Sequence, residues 1–238
     1  MPEIADIWSY LAQGPLIWLT LTLVAYVVAD AVAQFANRAP WANPVLISVL
    51  LLAGMLWLTR TPYTTYFEGA QFVHFLLGPA TVALAVPLYQ QGARLKSAIL
   101  PVLAGLSAGS VVAVVSALWI AHAMGLSPQL LATLAPKSTT APVAIGIAQS
   151  LGGSTTLAAV LVILTGIVGA LIATPLLNAL RITDWRARGL SVGVAAHGIG
   201  TARAFQVNPT AGAYAGIGMG LNAILTALLA PAILRLFL

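Results

Sequence analysis

Seven stretches of this chain, at about 14–37, 43–59, 68–90, 97–122, 155–180, 187–206 and 210–236, are apolar and long enough to cross a bilayer. A helix needs about 20 such residues to span a ~30 Å hydrocarbon core, so the 43–59 stretch borrows a few flanking residues. Membrane-spanning β-strands would alternate faces in units of ~10 residues, and the chain shows no such pattern. Only 6% of its residues are charged against 60% hydrophobic, whereas a soluble domain carries about a quarter charged. The expectation is an all-α integral membrane protein, one membrane domain over residues 1–238, with about seven transmembrane helices plus a re-entrant hairpin.

Basic residues set the orientation of such a chain, because short cytoplasmic loops carry the excess Lys and Arg. The net charge of +5 therefore reports loop sidedness and does not point to nucleic acid. Placing Arg38 inside puts the N-terminus outside, returns Arg94 and Lys96 to the inside, and brings the fourth span out near Gly125. A crossing by residues 128–150 would then strand Arg181, Arg186 and Arg188 outside. A hairpin that dips in and returns keeps all three inside, with Arg235 and the C-terminus. A cytoplasmic amphipathic loop is the alternative, and it requires a different crossing count. The first thirteen residues carry Glu3 and Asp6 without Lys or Arg, unlike the basic start of a cleaved signal peptide.

On this reading the chain holds two oppositely oriented repeats, about 14–122 and 128–238, each with one broken helix. Gly78-Pro79-Ala80-Thr81 in the third span aligns with Gly198-Ile199-Gly200-Thr201 in the seventh, counting the hairpin as the fifth. Each pairs a helix-weakening Gly with a Thr able to cap the half-helix that follows. Interrupted segments at matching positions of inverted halves point to a secondary-transporter binding site. Gly212, Gly216 and Gly220, like Gly105 and Gly109, fall on single helix faces and read as close-packing stripes.

Ionisable groups at membrane depth are costly and mark candidate sites. The hairpin tip, "LAPKSTTAPVAI", holds Lys137 among Ser138, Thr139 and Thr140. Thr140 is placed to cap the second short helix, with Pro142 in its first turn. Lysine, hydroxyls and a helix N-terminus together suit a small anion; a lysine snorkelling to the headgroups is the structural alternative. Arg203, expected on the outer half of the seventh span, could take a carboxylate bidentately or mark the span's boundary. His197, beside the break, could donate to an anion or relay a proton, or be a hydrogen-bonded core residue. His74 and Asp30 are further proton-coupling candidates, Asp30 alternatively pairing with Arg38. Asn222, on one face with Thr226, suits hydrogen bonding between helices or contact with substrate.

Other chemistries find no support in the residues. The chain has no cysteine, its three histidines lack metal-ligand spacing, and no G-x-S-x-G turn supplies a nucleophile. "GIGMGLNA" and "HGIGTARA" do not follow a strand in a βαβ unit, and "PKST" lacks the Gly-rich run of a phosphate loop. Neither a cofactor nor an enzyme is indicated.

"HFLLGPATVALAVPLY", "LAPKSTTAPVAI", "VILTGIVGA", "AAHGIGTARAF" and "GIGMGLNAILTALLAP", in that order from about Tyr66 to the C-terminus, resemble the LrgB/CidB family. This family is also similar to the C-terminal half of the plastid glycolate/glycerate translocator. At the tip, Thr139 stands where the family usually carries Val and Ala141 where it carries Thr, while Lys137, Ser138, Thr140 and Pro142 match. The resemblance implies transport of small monocarboxylates such as glycolate, glycerate or pyruvate. It also implies, alternatively, a holin/antiholin-like role in murein hydrolase export and cell lysis. A bacterial cytoplasmic (inner) membrane location, a smaller LrgA/CidA-type partner and a homo-oligomer are implied with it.

Overall fold

A computed structural model describes residues 14–76 and 98–238, with Pro79, Val82, Ala83 and Tyr89. Among these residues the chain is all-helical, in two compact units, residues 1–84 and 85–238. The first unit holds α1 (Pro15–Phe35), α2 (Pro44–Thr59) and α3 (Tyr63–Phe75). Pro15 starts α1 and Asn43 caps α2, its side chain accepting from the Val45 and Leu46 amides. Trp18, fully buried, meets Tyr66 edge to face at 5.9 Å. Gly69 lets α3 come so close to α1 that a Cβ there would stand 2.0 Å from the Pro15 carbonyl.

The second unit contains α4 (Ile99–Ala123), α5 (Pro128–Leu134), α6 (Ala141–Ser150), α7 (Thr155–Ala179), α8 (Trp185–Val207) and α9 (Pro209–Leu234). α1, α4, α7 and α9 are long and apolar enough to cross a membrane. Their outer faces carry Val112, Trp119 and Leu228 at 63%, 63% and 70% exposure; such faces suit lipid and not water. The protein is an all-α integral membrane protein.

The stretch at 128–150 forms the expected short helix, tip and short helix. Residues 187–206, in contrast, do not make the single crossing expected of them. The backbone at His197 turns to φ 41°, ψ −132°, and the two halves, α8a (185–196) and α8b (198–207), fold back on each other. A Cβ on Gly200 would lie 2.9 Å from Val192 Cγ1, whereas residues eight apart in a straight helix are separated by about 12 Å. α8 is therefore a second hairpin. Its first half runs parallel to α9: Gly189 meets the Ala211 carbonyl and Gly193 that of Ala215. This close approach is the glycine pairing that positions α8, and the sequence stripes missed it. Gly105 and Gly109 do pack, against Leu190 and Val194, and Gly212 against Phe205, but Gly220 faces open space.

One consequence corrects the expected topology. Val102 and Leu106, early in α4, share a core with Tyr214 and Ile217, early in α9; Val114, Leu118 and Ala121 share another with Ala230 and Ile233. α4 and α9 are parallel, and His122 touches Phe237 with ring centroids 5.9 Å apart. The C-terminal end thus lies on the face of Gly125, opposite Arg181, Arg186 and Arg188, so Gly125 cannot be outside with the C-terminus inside. Because α8 returns to its starting side, a single crossing follows α7.

α7 runs antiparallel to α4. Its start lies by the first interruption, where the Ser154 amide donates to Thr133 Oγ1. Its end is tied to the base of α8, where Arg188 donates to Asn178 Oδ1 and the Ile182 carbonyl and covers the Trp185 ring. Asp184 caps α8, and hydrogen bonds from Arg186 hold its carboxyl down at about 2. A lowered carboxylate pKa means the cap's contribution is present above the ordinary range near 4 and lost only as pH falls toward 2.

Candidate functional site

Asn222 lies thirteen residues after the start of α9 and twelve before its end, which places it at mid-depth of the longest helix. Its amide nitrogen donates to the carbonyl of Ser138 in the first tip (3.0 Å) and to that of Val194 just before the second (3.2 Å). Its oxygen accepts from Ser110 of α4 (2.6 Å) and from Thr226 (3.2 Å). Both interruptions, entering from opposite faces, therefore meet at one amide halfway along the long helices. All its hydrogen-bonding positions are taken by protein, so Asn222 positions the tips and has no group left for a ligand.

Lys137 projects from the first tip. Its ammonium donates to Ser138 Oγ at 3.1 Å and has no carboxylate within ion-pair reach among the described residues. It lines an open pocket of about 400 Å³ with Leu161, Leu164, Thr165, Val168 and Gly169 of α7 and Ala195 of α8a. Thr139 is fully buried and donates to the Pro136 carbonyl, locking the turn. Thr140 occupies the N-cap of α6, but its hydroxyl makes no capping bond. Pro142 sits in the first turn, and the helix's positive end faces the tip.

At the second tip, His197 holds its ring against α7. Nε2 lies 2.8 Å from the Val162 carbonyl, and a carbonyl partner makes this nitrogen the donor. The ring fits because position 166 is glycine: a Cβ there would stand 2.6 Å from His197 Cε1. A non-glycine residue at positive φ stores roughly 1–3 kcal/mol of strain, which this anchored ring helps to hold. Thr201 does not cap the returning half-helix; its buried hydroxyl donates back to the His197 carbonyl. Gly200 is needed for the reversal, while Gly198 meets nothing closer than Met219 Sδ at 3.8 Å.

We expect Gly166→Val to expel the imidazole and open the second tip. A thermal midpoint lowered by several degrees, together with trypsin cleavage at Arg203 that wild type resists, would register it; an unchanged midpoint and cleavage pattern would contradict it.

Several expected residues lie elsewhere. Arg203 is on α8b, about 9 Å along the helix from the tip, and borders a small pocket with Trp185 and Arg188. The hairpin returns it toward the Arg188 end, whereas a straight span would have carried it to the opposite half. It donates to Gln206 at 3.4 Å. Asp30 pairs with Arg38 at 3.2 Å and accepts from Gln34. Gly78, Thr81 and the side chain of His74 lie outside the described residues. Sequence reasoning missed Thr165, although it stands in the "VILTGIVGA" run: it lines the Lys137 pocket. Among the described residues no cluster of His and acidic side chains could hold a metal.

Comparison with known proteins gives the kinship of this arrangement. The model of the LrgB-like family matches residues 22–236. The uncharacterized protein YwbG of Bacillus subtilis (strain 168) is 35% identical over 216 residues, covering 91% of this chain and 96% of that protein. The holin-like protein CidB of Staphylococcus aureus (strain Mu50 / ATCC 700699) is 32% identical over 223 residues, 93% of this chain and 96% of CidB. No solved structure matches. With both tips, the anchoring α7 and the Asn222 helix all inside the matched region, the chain belongs to the LrgB-like family.

Proposed function

We propose that this membrane protein is a secondary carrier for small organic anions of the monocarboxylate class, glycolate, glycerate and pyruvate among them. The observation that carries the reading is Lys137: a cation at the meeting point of two helix interruptions, with a hydroxyl partner and no carboxylate among the described residues. A charge held at that depth calls for a counter-charge, and a visiting carboxylate supplies one. Ser138, Thr140 and Thr165 would take its remaining oxygen lone pairs beside the α6 N-terminus. Interruptions entering from opposite faces suit alternating access, with each tip closing one route. His197 is the candidate for proton coupling; Asp30 is committed to Arg38 and Gln34.

The name of the staphylococcal relatives, holin-like protein CidB, supports a second reading: a holin/antiholin-like regulator of murein hydrolase export and cell lysis. A smaller LrgA/CidA-type membrane protein and further copies of this chain are proposed partners under either reading, in a bacterial inner membrane. Proteoliposomes loaded with calcein separate the two functions. A carrier takes up labelled glycolate saturably, is inhibited by pyruvate, and retains the dye. Dye release with non-saturable glycolate entry would sink the carrier and favour the holin-like role.

A further inference from the structure

A second cavity, about 540 Å³, runs between α4 and α8a, distinct from the Lys137 pocket. Ala98, just before α4, and Gly105, Gly109 and Ala113 of α4 line it beside the close contacts that the two glycines make with Leu190 and Val194, and Ala187 and Ser191 line it from α8a. From Ala98 to Ala113 it extends about 22 Å at 1.5 Å per residue, enough for the ~15 Å of one leaflet's hydrocarbon plus an ester region. Two features at its outer end are not those of a dry packing gap. Tyr214 is 1% exposed, lines the groove, and its hydroxyl has no hydrogen-bond partner among the described residues. Asp184 and Arg186 stand at the same end, their side chains 46% and 56% exposed and bound to each other.

We propose that this groove is a phospholipid site, with one acyl chain along α4 and α8a, the phosphate at Arg186 and an ester carbonyl accepting from Tyr214 Oη. The components match in order. An apolar trough accepts a chain, a buried donor seeks an acceptor at the chain's polar end, and an exposed guanidinium lies just beyond. A small carboxylate would find no buried cation in the trough, and a bare hydrocarbon would leave the tyrosine hydroxyl unpaired. The site does not depend on the carrier reading.

The test uses the full chain in liposomes containing phosphatidylethanolamine with a photoactivatable diazirine midway along one acyl chain. After irradiation, adducts are mapped by mass spectrometry. Labelling of residues 105–113 and 190–195 is expected to exceed that at the lipid-facing control positions Ile224 and Leu228 by about threefold or more, equivalent to a modest preference. Tyr214→Phe, which removes one oxygen and preserves shape, is expected to lower groove labelling by about half or more and leave the controls unchanged. Ala113→Trp, filling the deep end, should lower it further, and Tyr214→Phe decides alone if that variant does not fold. A phosphatidylglycerol probe labelling the groove equally would support the phosphate as the recognised group. Equal labelling by a diazirine fatty-acid methyl ester would overturn the proposal, as would groove labelling no higher than the controls or unchanged in both variants.

Discussion

Lys137→Ala is expected to reduce glycolate uptake into proteoliposomes by about 100-fold or more, since truncating one partner of a desolvated charge pair costs ~2–5 kcal/mol. Its effect on stability should be of the opposite character. The ammonium has one hydroxyl partner and no described carboxylate, so its removal leaves no charge stranded, and a partly desolvated cation is itself costly. The thermal midpoint should hold or rise while transport is lost. Lys137→Arg keeps the charge but exchanges a compact ammonium for a longer planar fork, and should retain partial uptake with a raised KM. Wild-type uptake in the alanine variant would remove the basis of the proposed site. A collapse in folding would instead assign the lysine a structural role.

Asn222→Ala is expected to do the reverse, acting first on the fold. It leaves two carbonyls and the Ser110 and Thr226 hydroxyls without their shared partner, all buried around one point. Each orphaned buried group costs roughly 1–3 kcal/mol, and part is recovered by local rearrangement. A loss of about 3–5 kcal/mol is expected, or a thermal midpoint lower by roughly 10 °C at 2–4 °C per kcal/mol. Asn222→Asp is the sharper variant: it keeps the acceptor for Ser110 and Thr226 but turns a second oxygen toward the two carbonyls. It should be at least as destabilising as alanine, whereas an asparagine serving mainly as a ligand contact would tolerate both changes in the absence of substrate. A double-mutant cycle with Ser110→Ala should show coupling of about 0.5–3 kcal/mol.

The candidate site was partly visible in one dimension. A lysine between two prolines in a chain with 6% charge stands out whatever the fold, because the cost of placing it at membrane depth is a property of the side chain. The tip's separation of two short helices followed from Pro136 and Pro142, which limit helix on either side. Thr165 was not singled out, since a threonine inside an apolar run reads as neutral filler until its neighbours are known. Asn222 was legible as a polar residue in a span, but its four partners come from α4, both tips and α9, up to 112 residues away.

The error at 187–206 has a definite cause. Length and composition count residues along the chain, and twenty suffice for a crossing whether the chain runs straight or doubles back. His197 is the residue that adopts the reversal, in a conformation normally left to glycine, with glycines following it at 198 and 200. What selects that conformation is long-range: the gap at Gly166, the Val162 carbonyl and the close fit of Gly189 and Gly193 against α9. The return of α8 then decides which face carries Arg203 and the C-terminus.

By itself the sequence determined the solvent, the helical class, the long spans and the lysine of the first tip, because each follows from local composition and the energetics of hydrocarbon. Tertiary structure alone decided that the 187–206 run turns back, that two tips share one amide, and which residues of other helices line the lysine's pocket. Those outcomes rest on contacts between residues distant in the chain, where packing and hydrogen-bond geometry choose among paths that local propensity leaves equal.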